Sequence, residues 1–400
     1  MTTVARDLSI KPDSYDFSLV LGGPIFQLTR RAHLSGDALE LVRRRVIAAV
    51  ALTWLPLLVL SILTGRAWGA AVEVPFFKDF EAHTRLLVAL PLLIIAELVV
   101  HQRMRPLVQR FLERDLVAEE SRATFVASYE AAMRLRNSVL IEVLMILFVY
   151  VGVVFLWPHY GLLHVSTWSS LPVDGRAVLT PAGWWLAYVS VPVFQFMLFR
   201  WYFRIFLWIR FLSQVARCQL KLVPTHPDRV GGLGFLATTA FAFAPLLSAH
   251  GALAAGFIAA RIFFQGATLV DFKIELAAIV LFLLVIVLGP LLFFMPQLAA
   301  ARRTGLREYG TLAQRYVREF DDKWIRGAAP AGEPLIGSAD IQSLADLANS
   351  YEVVRSMSMV PFNRNTLVQL TVAALLPVAP LLLTMISLDE LVQRLLQVVL

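Results

Sequence analysis

Long apolar stretches constrain this chain more than any other feature of its sequence. A helix needs about 20 mostly apolar residues to cross the hydrocarbon core of a bilayer. Hydrophobic residues make up 58% of the 400 positions and charged residues 16%, against about 45–50% and 25% in soluble domains. We therefore predict an all-α, polytopic transmembrane helix bundle of about seven spans, embedded in a lipid bilayer. The seven stretches are 46–64, 86–104, 139–157, 184–208, 236–260, 276–297 and 367–386.

The basic residues predict how this bundle is oriented. Of the 36 Lys and Arg residues, 29 fall on one side of the predicted spans and seven on the other. Cytoplasmic loops are enriched in Lys and Arg, so we expect the N-terminus inside and the C-terminus outside. Residues 1–45 then form a cytoplasmic N-terminal arm and 46–388 form the bundle. Residues 389–400 form an amphipathic tail on the outer side.

The predicted cytoplasmic side carries three segments with helical patterns, at 105–138, 209–235 and 298–365. Two interpretations stay open for these amphipathic helices. They can lie on each other and on anionic lipid headgroups, or they can form a docking surface for a cytoplasmic protein partner. Lipid headgroups also account for the net charge of +7. No basic stripe lies away from a membrane flank, so we predict no nucleic-acid binding.

The fifth span carries a small residue at every fourth position. Such spacing lets helix backbones approach closely in lipid, so we expect this span to be a central helix. Pro245 and Gly251 predict a kink or a break. His250 lies near the middle of the span, either as a functional group or as a neutral histidine bonded to a carbonyl. The small residues are Ala240, Ala244, Ser248, Ala252, Gly256 and Ala260.

Motifs of known enzymes are missing from the sequence. It contains no G-x-x-x-x-G-K-[ST], no H-E-x-x-H and no G-x-S-x-G. Residues 232–237 match G-x-G-x-x-A, but they open a membrane helix and do not follow a strand. The single cysteine, Cys218, excludes an internal disulfide. The sequence therefore indicates no enzyme class.

Ionisable residues cluster at one predicted depth, in the inner half of the membrane or just beneath it. Such charged groups are energetically costly in lipid unless they are paired, so an ionisable residue inside the membrane is first considered as part of a functional site. In one interpretation, the two arginines neutralise the two glutamates and the histidines form hydrogen bonds nearby. In the other, the acidic and imidazole groups converge on a solute or a divalent metal, with His101, His226 and Asp228 as ligands. The cluster comprises Glu97, His101, Glu142, Arg200, Arg204, His226 and Asp228.

The polar stretch "PTHPDRVGGLGFLA", residues 224–237, leads into the fifth span. Asp228 can cap the new helix, because its side-chain oxygens accept free backbone N–H groups. Three glycines follow, which is more than a cap needs. Bare N–H groups at a helix start also suit an anion, so Gly231, Gly232 and Gly234 are a candidate anion-binding turn.

Three stretches carry a resemblance to other proteins. "THPDRVGGLGFL", together with "GSADIQSLADLANSYEVVR" (337–355) and "LSGDALELVRRR" (34–45), resembles a group of uncharacterised multi-pass inner-membrane proteins of bacteria. The resemblance implies a bacterial inner (plasma) membrane and no particular activity.

Three functional hypotheses follow from the sequence. The first is passage of a solute or ion, or its control, through a polar inner vestibule. The second is a membrane-embedded metal-dependent enzyme that uses the acidic and imidazole residues of the cluster. The third is a scaffold or sensor that recruits a cytoplasmic partner through residues 302–357.

Overall fold

The structure, a computed structural model, describes residues 17–22, 41–160, 166–173 and 176–385. Long helices account for most of this part of the chain. A short antiparallel hairpin, β1 (Ser170–Val173) with β2 (Arg176–Leu179), was not predicted. The helices are α1 (Val42–Leu63), α2 (Phe80–Glu113), α3 (Glu119–Arg136), α4 (Val139–Tyr160), α5 (Pro181–Val215), α6 (Phe235–Gln265), α7 (Leu269–Ile325), α8 (Ala339–Arg355) and α9 (Arg364–Met385).

The predicted helix bundle is confirmed. Among the described residues, six helices are long and apolar enough to cross a membrane: α1, α2, α5, α6, α7 and α9. Helices α3 and α4 meet at a bend of 46°. They are long and apolar enough to cross a membrane only when they are taken together, and counted as one bent span they give a seventh. The predicted outer tail, 389–400, lies outside the described residues, as does most of the N-terminal arm.

Prolines explain where the spans depart from regular helix. Proline has no N–H and its ring collides with the carbonyl four residues earlier. The preceding helical turn therefore becomes wider, as in a π-helix, or tighter, as in a 3₁₀-helix. A wide turn, Thr84–Ala89, precedes Pro91 in α2. A tight turn, Phe241–Phe243, precedes Pro245 in α6. The fifth span is therefore interrupted just before Pro245 and stays helical through Gly251.

Helix α6 packs closely against two neighbours, as its small residues predict. Ser248 Oγ donates to the Ala373 carbonyl of α9 across 2.7 Å. A side chain at Gly251 would collide with the backbone of Ala374, and one at Gly256 with Thr84 of α2.

His250 in α6 has hydrogen bonds at both ring nitrogens. Its Nδ1–H donates to the Leu246 carbonyl across 2.8 Å, and its Nε2 lies 2.8 Å from the Tyr202 hydroxyl oxygen. The bond to Leu246 is the carbonyl contact considered from the sequence.

Helix α7 extends far beyond the bilayer. Its 57 residues span about 85 Å at 1.5 Å per residue, against a hydrocarbon core of about 30 Å. Its charged end forms a hairpin with α8, where Lys323 and Trp324 both donate to Asp340 across 2.9 Å. This hairpin contains the predicted docking surface, and a partner for it stays a prediction.

The predicted helical segment 209–235 needs correction. It is helical to Val215 and again only from Phe235, and turns fill the interval. Pro224 and Pro227 disfavour helix, and Arg229 adopts a left-handed φ of 57°. The side chain of Gln297 anchors the start of this interval by donating to the carbonyls of Ala216 and Cys218 across 2.7 and 2.9 Å.

Candidate functional site

Four helices bring five charged side chains into one buried cluster, which we call the arginine–glutamate cluster. Its members are Arg45 of α1, Glu97 of α2, Glu142 of α4, and Arg200 and Arg204 of α5. Arg204 Nη2 donates to Glu97 Oε1 across 2.6 Å, and Arg45 donates to Glu97 Oε2. Arg200 lies 3.6 Å from Glu97 and 3.7 Å from Glu142. Every one of these side chains is at most 8% exposed.

Trp201 fixes the arginines of α5 against α2. Its indole N–H donates to the Leu93 carbonyl across 3.0 Å. Glu97 lies one helical turn beyond Leu93, so Arg200 and Arg204 meet its carboxylate. The Arg204 guanidinium also lies over the Trp201 ring, 4.8 Å from its centroid, which adds a cation–π contact.

Sequence reasoning missed Arg45. In the sequence, a single basic stretch flanks the first span, and it consists of Arg43, Arg44 and Arg45. The structure exposes Arg43 and Arg44 and buries Arg45. No pattern in the sequence separates Arg45 from its two neighbours, because its burial depends on how α1 rotates in the bundle.

The cluster carries a surplus of positive charge, with three arginines against two glutamates. Two guanidinium nitrogens in it are buried without a hydrogen-bond partner among the described residues, Arg45 Nη1 and Arg204 Nη1. Buried donors are nearly always satisfied, and leaving one bare is costly. Counted over these five side chains, the cluster has one net positive charge, and it has two buried donors without a partner among the described residues.

A small pocket lies beside the cluster. Its charged lining is three arginines and one glutamate, so an ion entering it meets a positive field. The lining residues are Leu19, Gly22, Arg136, Glu142, Met145, Arg200, Phe203 and Arg204.

The other predicted site residues lie in different surroundings. His101 is 3% exposed, and its Nδ1 lies 2.9 Å from Ser18 Oγ. His226 Nδ1 lies 2.8 Å from Asp228 Oδ1. Within the described ranges, no three His, Cys, Asp or Glu side chains are placed to hold a metal ion. The metal site predicted from His101, His226 and Asp228 is therefore not assembled.

The glycine turn after Asp228 already holds an anion, which is the Asp228 carboxylate itself. This carboxylate accepts the N–H groups of Val230, Gly232 and Gly234 at 2.9, 3.1 and 2.8 Å. The predicted anion-binding turn of Gly231, Gly232 and Gly234 is thus filled from within the chain. Burial would raise the pKa of Asp228, but the three backbone N–H groups and His226 together hold it below its usual range.

The fold and the cluster together define a multi-pass, all-α membrane protein with an internally paired, positively charged site. No family model, no curated protein and no solved structure matches the chain. The resemblance to uncharacterised bacterial inner-membrane proteins therefore stays a prediction.

Proposed function

We propose that this protein passes a small anion across the membrane, or controls its passage, and binds it at the pocket beside Arg204. One observation carries the proposal. Arg204 lines the pocket, its side chain is only 3% exposed, and its Nη1 has no hydrogen-bond partner in the described part of the chain. A guanidinium offers N–H donors in a planar fork that matches an oxyanion.

The charge balance favours an anion over a cation. Arginine already occupies both oxygens of Glu97, which accept from Arg45 and Arg204, and Arg200 lies 3.7 Å from Glu142. The five side chains sum to one positive charge, which is costly in a membrane interior. A bound monovalent anion would cancel this charge.

Two further features support passage rather than static binding. The pocket is lined by residues of α3, α4 and α5 and by Leu19 and Gly22, in a chain with at least six candidate spans. Two of those spans, α2 and α6, are interrupted by wide or tight turns, and interrupted helices are common around solute sites in transporters. From the basic residues we place the cluster at the cytoplasmic end, and from the resemblance we place the protein in a bacterial inner membrane.

The proposal is tested by anion flux into vesicles that contain the purified protein. The panel is chloride, nitrate, acetate and phosphate, and the vesicles are made of zwitterionic lipid alone. We expect at least one anion to pass faster than in empty vesicles, and Arg204→Gln to reduce that flux tenfold or more. Arg210→Gln is the matched control, because Arg210 is exposed on the same helix. Vesicles that contain the protein and remain impermeable to all four anions would overturn the proposal.

A further inference from the structure

A short piece of the N-terminal arm, residues 17–22, lies buried against the helices of the cluster; we call it the strap. Phe17, Ser18, Leu19 and Val20 are each at most 2% exposed. The strap has no regular secondary structure, and such segments normally run over a protein surface because their backbone groups need partners.

Two helices provide polar partners for the strap. The Arg136 guanidinium of α3 donates to the Ser18 carbonyl, and the Phe17 N–H donates to the Arg105 carbonyl of α2 across 3.3 Å. His101 Nδ1 of α2 lies 2.9 Å from the Ser18 hydroxyl oxygen. The strap is therefore held by three specific polar contacts, two of them to charged or titratable side chains.

The strap also forms one wall of the pocket. Leu19 and Gly22 line it together with Arg200 and Arg204. The side chain of Leu19 is apolar and offers an anion no hydrogen bond, so it narrows the pocket beside the two arginines. Movement of the strap would widen the route to Arg204, and it would release Arg136, another lining residue, from the Ser18 carbonyl.

The closed position depends on Gly22. Its φ of 144° suits glycine. A Cβ at this position would lie 2.7 Å from Arg136 Nε and would also collide with Asn137. Any larger residue is strained at this φ and must also displace the side chains of Arg136 and Asn137 at the end of α3, including the guanidinium that donates to the Ser18 carbonyl.

From this geometry we infer that residues 17–22 form a closing element over the anion pocket, and that anions reach Arg204 when the strap lifts. The inference rests on the proposed function, since it describes how access to that same site is regulated. It predicts that loosening the strap raises anion access while leaving the arginine–glutamate cluster intact.

The experiment combines a strap variant with a labelling reagent. Leu19→Cys is made in a Cys218→Ser background, so that it is the only cysteine, and an anionic methanethiosulfonate reports access to the pocket wall. We expect slow labelling in this protein and at least tenfold faster labelling once Gly22→Ala is added. Gly152→Ala is the matched control, because a Cβ there meets nothing within 4 Å. Unchanged labelling with Gly22→Ala would overturn the inference.

Anion flux with the native Leu19 then separates the two proposals. We expect Gly22→Ala to raise flux at least threefold, and the increase to vanish when Arg204→Gln is added. Faster labelling with unchanged flux, in vesicles where the wild type conducts, would show that the strap moves but does not close the site. No flux in any variant would overturn the proposed function, and the inference that rests on it. Ser18→Ala, which removes the bond to His101, repeats the test if Gly22→Ala does not fold.

Discussion

Arg204 donates to Glu97 across 2.6 Å, and this bond joins α5 to α2 inside the bundle. The same carboxylate accepts from Arg45 and lies 3.6 Å from Arg200. One glutamate therefore faces three arginines from two further helices, and one of those arginines, Arg200, also lies 3.7 Å from Glu142. Glu97 is the centre of the cluster, and the surplus charge around it is what the proposed anion would balance.

Removal of the Glu97 charge is expected to destabilise the whole bundle. Glu97→Gln removes the carboxylate charge that pairs with Arg45, Arg200 and Arg204, and loss of one partner from a buried ion pair costs about 3–5 kcal/mol. The measurement is the unfolding free energy of the purified protein in detergent or bicelles. Glu113→Gln, an exposed carboxylate on the same helix, is expected to change it by less than about 0.5 kcal/mol. Equal stability of the two variants would contradict the central position of Glu97.

The turn before α6 is expected to depend on the ionised Asp228. Asp228→Asn leaves one carbonyl oxygen in place of the two carboxylate oxygens that accept Val230, Gly232 and Gly234. We expect a loss of about 1.5–3 kcal/mol, the range for hydrogen bonds to a charged group. Unfolding free energies of the two proteins at neutral pH test this.

The stability that Asp228 contributes is expected to fall as the pH is lowered. Its folded pKa is lowered, so its stabilisation is present above the unfolded pKa and is lost as the pH falls through the lower, folded pKa. The stability gap between wild type and Asp228→Asn should therefore be full at neutral pH and close below about pH 4, the unfolded value. A gap that stays constant across this range would mean that the charge of Asp228 contributes nothing.

The contact between α6 and α9 is expected to tolerate no side chain at Gly251. A Cβ there would overlap the backbone carbonyl of Ala374, which cannot rotate away. Gly251→Ala should cost about 1–3 kcal/mol, as overpacking does. Gly289→Ala is the control, because its Cβ would have only an ordinary contact, at 3.9 Å. Thermal unfolding of both variants tests this prediction. Unchanged stability of Gly251→Ala would show that the two helices separate readily.

The sequence predicts the spans well because their apolar length is set by the bilayer itself. One of its two interpretations of the ionisable residues also pairs Arg200 and Arg204 with Glu97 and Glu142, since charges buried in lipid are costly unless paired. It does not distinguish Arg45 from Arg43 and Arg44, because flanking arginines are common and burial depends on how α1 rotates in the bundle. It places Asp228 near the same site, because depth along the membrane says nothing about lateral position. The strap has no long apolar stretch and no helical periodicity from which its burial could be predicted. Its burial depends on tertiary contacts alone.

The orientation predicted from the basic residues can be tested with single cysteines. Ile336 is 91% exposed in the α7–α8 hairpin and Trp68 is 62% exposed between α1 and α2. In a Cys218→Ser background, Ile336→Cys should react in intact cells only with a membrane-permeant thiol reagent. Trp68→Cys should react with an impermeant one as well. The reverse pattern would place the arginine–glutamate cluster at the outer end of the bundle.

The most direct test of the account measures anion binding in nanodiscs of zwitterionic lipid, where no anionic headgroup can supply the ligand. The wild type is compared with Arg204→Gln and Glu142→Gln over the same four anions. Arg204→Gln removes the unpartnered donor and should weaken binding at least tenfold. Glu142→Gln removes a negative charge from the pocket wall and should tighten binding by about tenfold, or 1.4 kcal/mol. Opposite changes in the two variants are the predicted result, whereas no binding to the wild type, or equal weakening in both variants, would contradict an anion site at Arg204.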